Sequence, residues 1–227
     1  MAQAAAGKTN WFAIWVSVAI VVVVAVVIGV VVWMNNAATD PGTRPEASNV
    51  NVETGAITVG EGTGTIATYV DFMCPICNQF EQLYGDAIDE ALADGSASLD
   101  IHPIAILDSR SQGTAFSTRA ANAMYCVAVE DEDKSLPFLR AMFENQPAEG
   151  TAGLTDAQIL DIAKGVGVSG IDSCVTDGTY SKFVTAMTQK TPANPETGRV
   201  GTPTVLVDDE IISLTGDPAT DITARLK

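Results

Sequence analysis

The stretch "DFMCPICNQF", residues 71–80, decides the fold. It holds Cys74 and Cys77 with two residues between them, and its flanks fix their setting. Upstream, "TIATYVDFM" (65–73) is β-branched and aromatic and reads as a strand running directly into Cys74. Downstream, Phe80, Leu83, Tyr84, Ala87, Ile88, Ala91 and Leu92 recur at helical spacing until Gly95. "SLDIHPIAIL" (98–107) is a second strand, and a shorter one, "AITV", precedes the first. The order β-α-β is the unit that builds a parallel sheet.

The strand–Cys-Pro-Ile-Cys–helix order puts both sulfurs at a helix N-terminus. Unpaired N–H groups and the positive end of the helix dipole stabilise a thiolate there. The Cys74 thiol is therefore expected below its free value of about 8.5. Pro75 suits the first helical turn because it has no N–H to leave unpaired. Cys77 is close enough to attack a mixed disulfide at Cys74, which predicts Cys74 as the exposed nucleophile and Cys77 as the shielded resolver. Zinc would need four ligands at compact spacing, whereas 48 residues separate Cys77 from Cys126 and the only histidine is His102. An inert staple across so short a loop would constrain little of the unfolded chain. No metal and no cofactor are expected.

Residues 11–34, "WFAIWVSVAIVVVVAVVIGVVVWM", carry no charge. A helix of that length, at about 1.5 Å per residue, crosses a hydrocarbon core of roughly 30 Å. Trp11 and Trp33 near its ends suit the two interfaces. The run is longer than the apolar core of a cleaved signal peptide, so an uncleaved anchor is expected. Only Lys8 precedes it, which puts residues 1–10 in the cytoplasm and the remainder outside. The exported part holds 28 acids against 11 basic residues, a net −17. That balance argues against nucleic acid or an anionic membrane surface as partner. All four cysteines lie in this part, where disulfides persist, and counting allows three pairings.

Residues 35–56 are polar, with Asn, Thr, Pro and Gly, and read as a flexible linker. Residues 57–227 form one domain by size. Between about 111 and 192 the text is helical, including "TDAQILDIAKGVG" with a capping box of Thr155 and Gln158. Strand character returns in "TPTVLVDD" (202–209) and "IISLT" (211–215), and Asp217-Pro218 starts a last short helix. Pro203 opens a strand, where a missing N–H costs least. The expected fold is α/β, a thioredoxin-like sheet with a helical insertion, preceded by an N-terminal transmembrane helix.

The C-P-x-C helix start, the insertion and the "GTPT" before the last hairpin together resemble the DsbA-like branch of the thioredoxin superfamily, and membrane-anchored actinobacterial members in particular. The resemblance covers about 57–227. It implies Cys74 as nucleophile, Cys77 as resolver, Pro75 and Ile76 as tuning residues between them, and Thr202–Pro203 as a substrate-binding cis-proline pair. It also implies a structural disulfide between Cys126 and Cys174; two buried free thiols are the other reading of those residues. The implied activity is thiol–disulfide exchange outside the cytoplasm, in the direction of oxidising exported cysteine-containing proteins. Reoxidation would fall to a membrane quinone-linked oxidase of the DsbB or vitamin K epoxide reductase kind. A reductase or isomerase using the same residues is one alternative; a redox-inert binding subunit of a membrane complex is another.

Three positions depart from the family's pattern. Ile76 stands where strong oxidases often have histidine, which predicts a less acidic Cys74. Thr68 stands where many relatives have a buried acid, and Met73 where thioredoxin has tryptophan. Asp71 is read as a strand-end residue facing solvent, and His102 as structural rather than a proton carrier.

Overall fold

The computed structural model describes residues 11–39, 41–195 and 197–226. The expected cytoplasmic segment 1–10, with Lys8, lies outside the described residues. The chain divides into two compact units, the second being Pro41–Lys227. In the first, a single helix α1 (Trp11–Thr39) contains an apolar window, Ile14–Val32, of mean hydropathy 3.2 with no part of it buried. It runs five residues beyond the apolar text because no helix breaker occurs before Pro41.

The second unit is built on six strands: β1 (Val50–Asn51), β2 (Ala56–Val59), β3 (Gly64–Val70), β4 (Ala97–Pro103), β5 (Thr204–Val207) and β6 (Glu210–Ile211). Their order is β1-β2-β4-β3-β5-β6. Strands β3 and β4 run parallel, with Ile66 opposite Leu99 and Thr68 opposite Ile101; every other neighbour is antiparallel. The parallel pair requires a crossover, and α2 (Pro75–Ala93) supplies it. Its Cys77, Phe80, Tyr84, Ile88 and Ala91, spaced three and four apart, are buried against the sheet. Alternate residues of β3, among them Ile66, Thr68 and Val70, are buried as a pleated strand demands.

The insertion between β4 and β5 comprises α3 (Phe116–Glu130), α4 (Ser135–Glu144), α5 (Asp156–Gly165), α6 (Asp172–Thr176) and α7 (Ser181–Thr188). Helix α3 is its centre: eleven of its residues are buried, and α4, α5, α6 and α7 all pack on it. Cys126 in α3 is bonded to Cys174 in α6, so Cys174 sits in a separate short helix ahead of the last one of the insertion. Thr155 and Gln158 form the capping box of α5. A short helix α8 (Pro218–Asp221), capped by Asp217, follows β6. Its Asp221 is bonded by Tyr84 of α2 (2.6 Å) and by Thr215 N (2.7 Å), which ties the chain end to the crossover helix.

Two expectations change. The linker does not extend to residue 56: Val50 and Asn51 pair with Ile57 and Ala56, and Tyr125 Oη donates to Gly55 O at 2.6 Å. The polar text misleads because Asn51 Oδ1 accepts from Glu53 N and Thr54 N, which makes a turn while Val50 is buried. The strand before the dithiol also ends early, at Val70. Asp71–Cys74 is instead a tight turn closed by Cys74 N–H donating to Asp71 O at 2.9 Å.

Candidate active site

The turn Asp71–Cys74 delivers the chain into α2 with Cys74 at the N-cap (φ −80°, ψ 115°) and Pro75 in the first turn. The Cys74 sulfur makes no well-aligned capping bond to Ile76 or Cys77, the helix's second and third residues, whose N–H groups lie near it. Its carbonyl opens the helix instead, accepting from Cys77 N at 3.1 Å and Asn78 N at 3.4 Å. Across from the turn, antiparallel β5 brings the Thr202–Pro203 bond, which is cis, against both sulfurs. Cys74 Sγ lies 3.4 Å from Thr202 O, and Cys77 Sγ lies 2.9 Å from Thr202 Oγ1. Thr202 Oγ1 also lies 3.2 Å from Tyr69 O, to which it can donate, and its hydroxyl lowers the Cys77 thiol against the larger effect of burial. Residues that sequence separates by more than 120 positions thus meet at one point.

The two sulfurs differ in setting. Cys77 is wholly buried and Cys74 is 5% exposed, less than an exposed nucleophile would be, because the 202–203 turn covers it. Ile76 between them is 53% exposed. The hydrogen bond from Cys77, joined by the N–H groups of Cys77 and Ile76, lowers the Cys74 thiol to about 7, against burial and the Asp71 charge. Burial pushes the Cys77 thiol well up, and its bond to Cys74 adds to the rise.

Asp71 corrects its sequence reading. It is wholly buried rather than facing solvent. Oδ1 accepts from Met73 N and Oδ2 from Leu107 N, each at 2.9 Å. The buried Ser117 hydroxyl lies beside this carboxyl but has no well-aligned hydrogen-bond partner. Burial raises the carboxyl above its ordinary value, and the donors offset this only in part. A buried acid therefore stands three residues before Cys74. His102 is buried in β4 and stacked on Tyr69 at 4.0 Å; burial pushes its imidazole down to about 4. Met73 is fully buried. Two further residues touch the site with no signal in the sequence. Gln146 donates to the carbonyls of Phe72 and Cys74, and Asn78 bonds Gln146.

A sheet with a parallel β-α-β unit, a dithiol at the start of its crossover helix and a proline turn facing that dithiol define a thioredoxin-like oxidoreductase. A family model described as Thioredoxin matches residues 56–221, and the chain belongs to that family. The structure is similar to reduced DsbA from Mycobacterium tuberculosis, at 28% identity and TM-score 0.62, covering 79% of this chain and 88% of that one. It is also similar to reduced DsbG of the same organism, at 27% identity and TM-score 0.61, covering 82% and 86%. MdbA of Actinomyces oris, at 24% identity and TM-score 0.61, covering 78% and 90%, shares the fold. Among curated proteins the chain is 35% identical over 135 residues to the serine/threonine-protein kinase PknE of M. tuberculosis. That match takes in 57% of this chain and 24% of PknE, so the chain spans about a quarter of that relative. The chain is a DsbA-like member of the thioredoxin family.

Proposed function

We propose that Cys74 and Cys77 carry out thiol–disulfide exchange on exported proteins, in the oxidising direction. The observation that supports this most is the asymmetry of the pair: an acidic Cys74 at a helix start above a Cys77 whose thiol burial holds protonated. In the disulfide form, a substrate thiolate attacks Cys74 Sγ. The Cys74–Cys77 bond breaks, and Cys77 leaves with the electron pair and takes up a proton. A second substrate thiolate then attacks its own sulfur in the mixed disulfide and expels Cys74 as thiolate. The substrate loses two electrons and the dithiol gains them.

A thiolate stabilised at Cys74 is a good leaving group and favours the reduced protein, which makes the disulfide an oxidant. Ile76 supplies no imidazole, so the potential falls short of the strongest oxidases. The carbonyl of Thr202, beside Cys74 Sγ, and Pro203 are the residues that face an incoming substrate strand. The Cys126–Cys174 bond serves the insertion and takes no part in exchange.

The apolar helix supports a single-pass anchor over 11–34 with the N-terminus in the cytoplasm and the folded unit Pro41–Lys227 outside. The substrates are then cysteine-containing proteins emerging from the membrane, and the reoxidant is a quinone-linked membrane oxidase of the DsbB or vitamin K epoxide reductase kind. The test is the reduction potential of the protein together with its oxidation of a reduced, unfolded multi-cysteine protein. A potential well above roughly −270 mV, with oxidation at catalytic amounts, is expected. A potential at or below that value without oxidation contradicts the direction of electron flow and favours a reductase.

A further inference from the structure

The dithiol turn is held from outside the sheet by one side chain of the insertion. Gln146, two residues past α4, donates from Nε2 to Phe72 O at 3.0 Å and to Cys74 O at 2.9 Å. Its Oε1 accepts from Asn78 Nδ2 at 3.2 Å, and Asn78 also donates to Phe143 O at 3.1 Å. An amide nitrogen only donates, so Asn78 fixes which way round the Gln146 amide sits and aims its NH2 at the two carbonyls.

The Cys74 carbonyl has a further demand on it. It accepts the Cys77 N–H, and the same N–H, with that of Ile76, also acts on the nearby Cys74 sulfur without a well-aligned hydrogen bond to it. A carbonyl has two lone pairs and competes with the sulfur for that proton. Donation from Gln146 occupies the carbonyl and weakens its pull. The same bonds fix the plane of the Phe72–Cys74 turn.

We propose that Gln146 is a positioning residue for exchange: by engaging the Phe72 and Cys74 carbonyls it orients the dithiol turn so that the Ile76 and Cys77 N–H groups serve the Cys74 sulfur. Through it the helical insertion sets the reactivity of a site that belongs to the sheet. This rests on Cys74 being the attacking thiol. The titratable side chains that act on Cys74 are Cys77 and Asp71. Neither is hydrogen-bonded by Gln146 among the described residues, so a change at Gln146 reads its own effect.

The test is the rate of Cys74 alkylation by iodoacetamide against pH in the reduced protein, with its equilibrium against glutathione. Gln146→Met keeps the chain length and removes both donors; the position is half-buried, so the fold tolerates it. The alkylation midpoint should rise by about half a unit to one unit, and the glutathione equilibrium should move about three- to tenfold toward the protein disulfide. Asn78→Ala, which frees the Gln146 amide to turn, should shift both the same way by less. Unchanged midpoint and equilibrium in both variants overturn the inference, whatever happens to the melting temperature. A parent protein with no acidic midpoint instead overturns the reading of Cys74, and the inference with it.

Discussion

Replacing Cys126 and Cys174 together by alanine removes a cross-link between residues 48 apart. In the chain-entropy account, closing a loop of that size takes about 4 kcal/mol of conformational freedom from the unfolded chain. The bond joins α3, the centre of the insertion, to α6, and Cys126 is buried. Native packing therefore loses little beyond two sulfur atoms, and the loss lies mainly in the unfolded state. A domain of this size loses about 2–4 °C of Tm per kcal/mol, so the double variant should melt roughly 8–16 °C lower. The assay is urea unfolding of the protein under non-reducing conditions, with the variant alongside. The midpoint should fall and the slope should rise, because an uncross-linked chain exposes more surface on unfolding. Cys74 alkylation should keep the parent's pH midpoint, since the bond lies outside the dithiol site. A loss below about 1 kcal/mol with an unchanged slope would refute the loop-entropy argument.

Tyr84→Phe removes a hydroxyl that donates to Asp221 (2.6 Å) and accepts from Gly216 N (2.9 Å). It should cost about 2 kcal/mol in the urea midpoint. Burial works against the Asp221 charge, but the Tyr84 and Thr215 donors prevail and its carboxyl lies below the ordinary value. Its stabilisation is thus full above roughly pH 3.9 and lost as pH falls through the folded value, and Asp221→Asn should flatten that acid limb. Glu81 has the opposite sign: burial pushes its carboxyl up to about 7, so its charge costs stability as pH rises from roughly 4.3 toward 7. Glu81→Gln should match the parent at pH 4 and exceed it by on the order of 1 kcal/mol at pH 8, read by urea unfolding. Asp208 and Asp209 join β5 to β6 with φ of +48° and +66°, a conformation that favours glycine. Asp209→Gly should raise stability by about 0.5–1 kcal/mol in thermal unfolding, and a loss there contradicts the strain argument.

The sheet and its crossover helix were legible because period two in 65–70 and period three-to-four in 80–92 each describe one buried face. The strand boundary was not. Asp71 looked like the end of a strand, yet its carboxyl accepts from Met73 and Leu107 and bends the chain into a turn. Leu107 lies 36 residues on, a contact that local pattern does not carry. The same holds for Gln146, which reaches the dithiol turn across more than 70 residues. In 35–56 polar text encodes a turn as readily as a tether, and the buried hydrophobic residues Val50 and Ala56 are too few to show a periodic pattern. Cys74, Cys77 and Pro203 could be named because C-P-x-C and T-P-T are local patterns. The insertion's hold on them is a property of the packed molecule.

The claim that Cys74 is the sulfur that substrates attack has one direct test. In a Cys77→Ala variant the resolving thiol is gone, so a mixed disulfide with a cysteine-containing peptide should accumulate. Peptide mapping by mass spectrometry under non-reducing conditions locates the adduct. The expected result is one peptide per chain, bound at Cys74, with Cys126 and Cys174 still joined to each other. An adduct at Cys126 or Cys174, or none at Cys74 over the range from pH 6 to roughly pH 8.5, where a thiolate forms, would contradict the account.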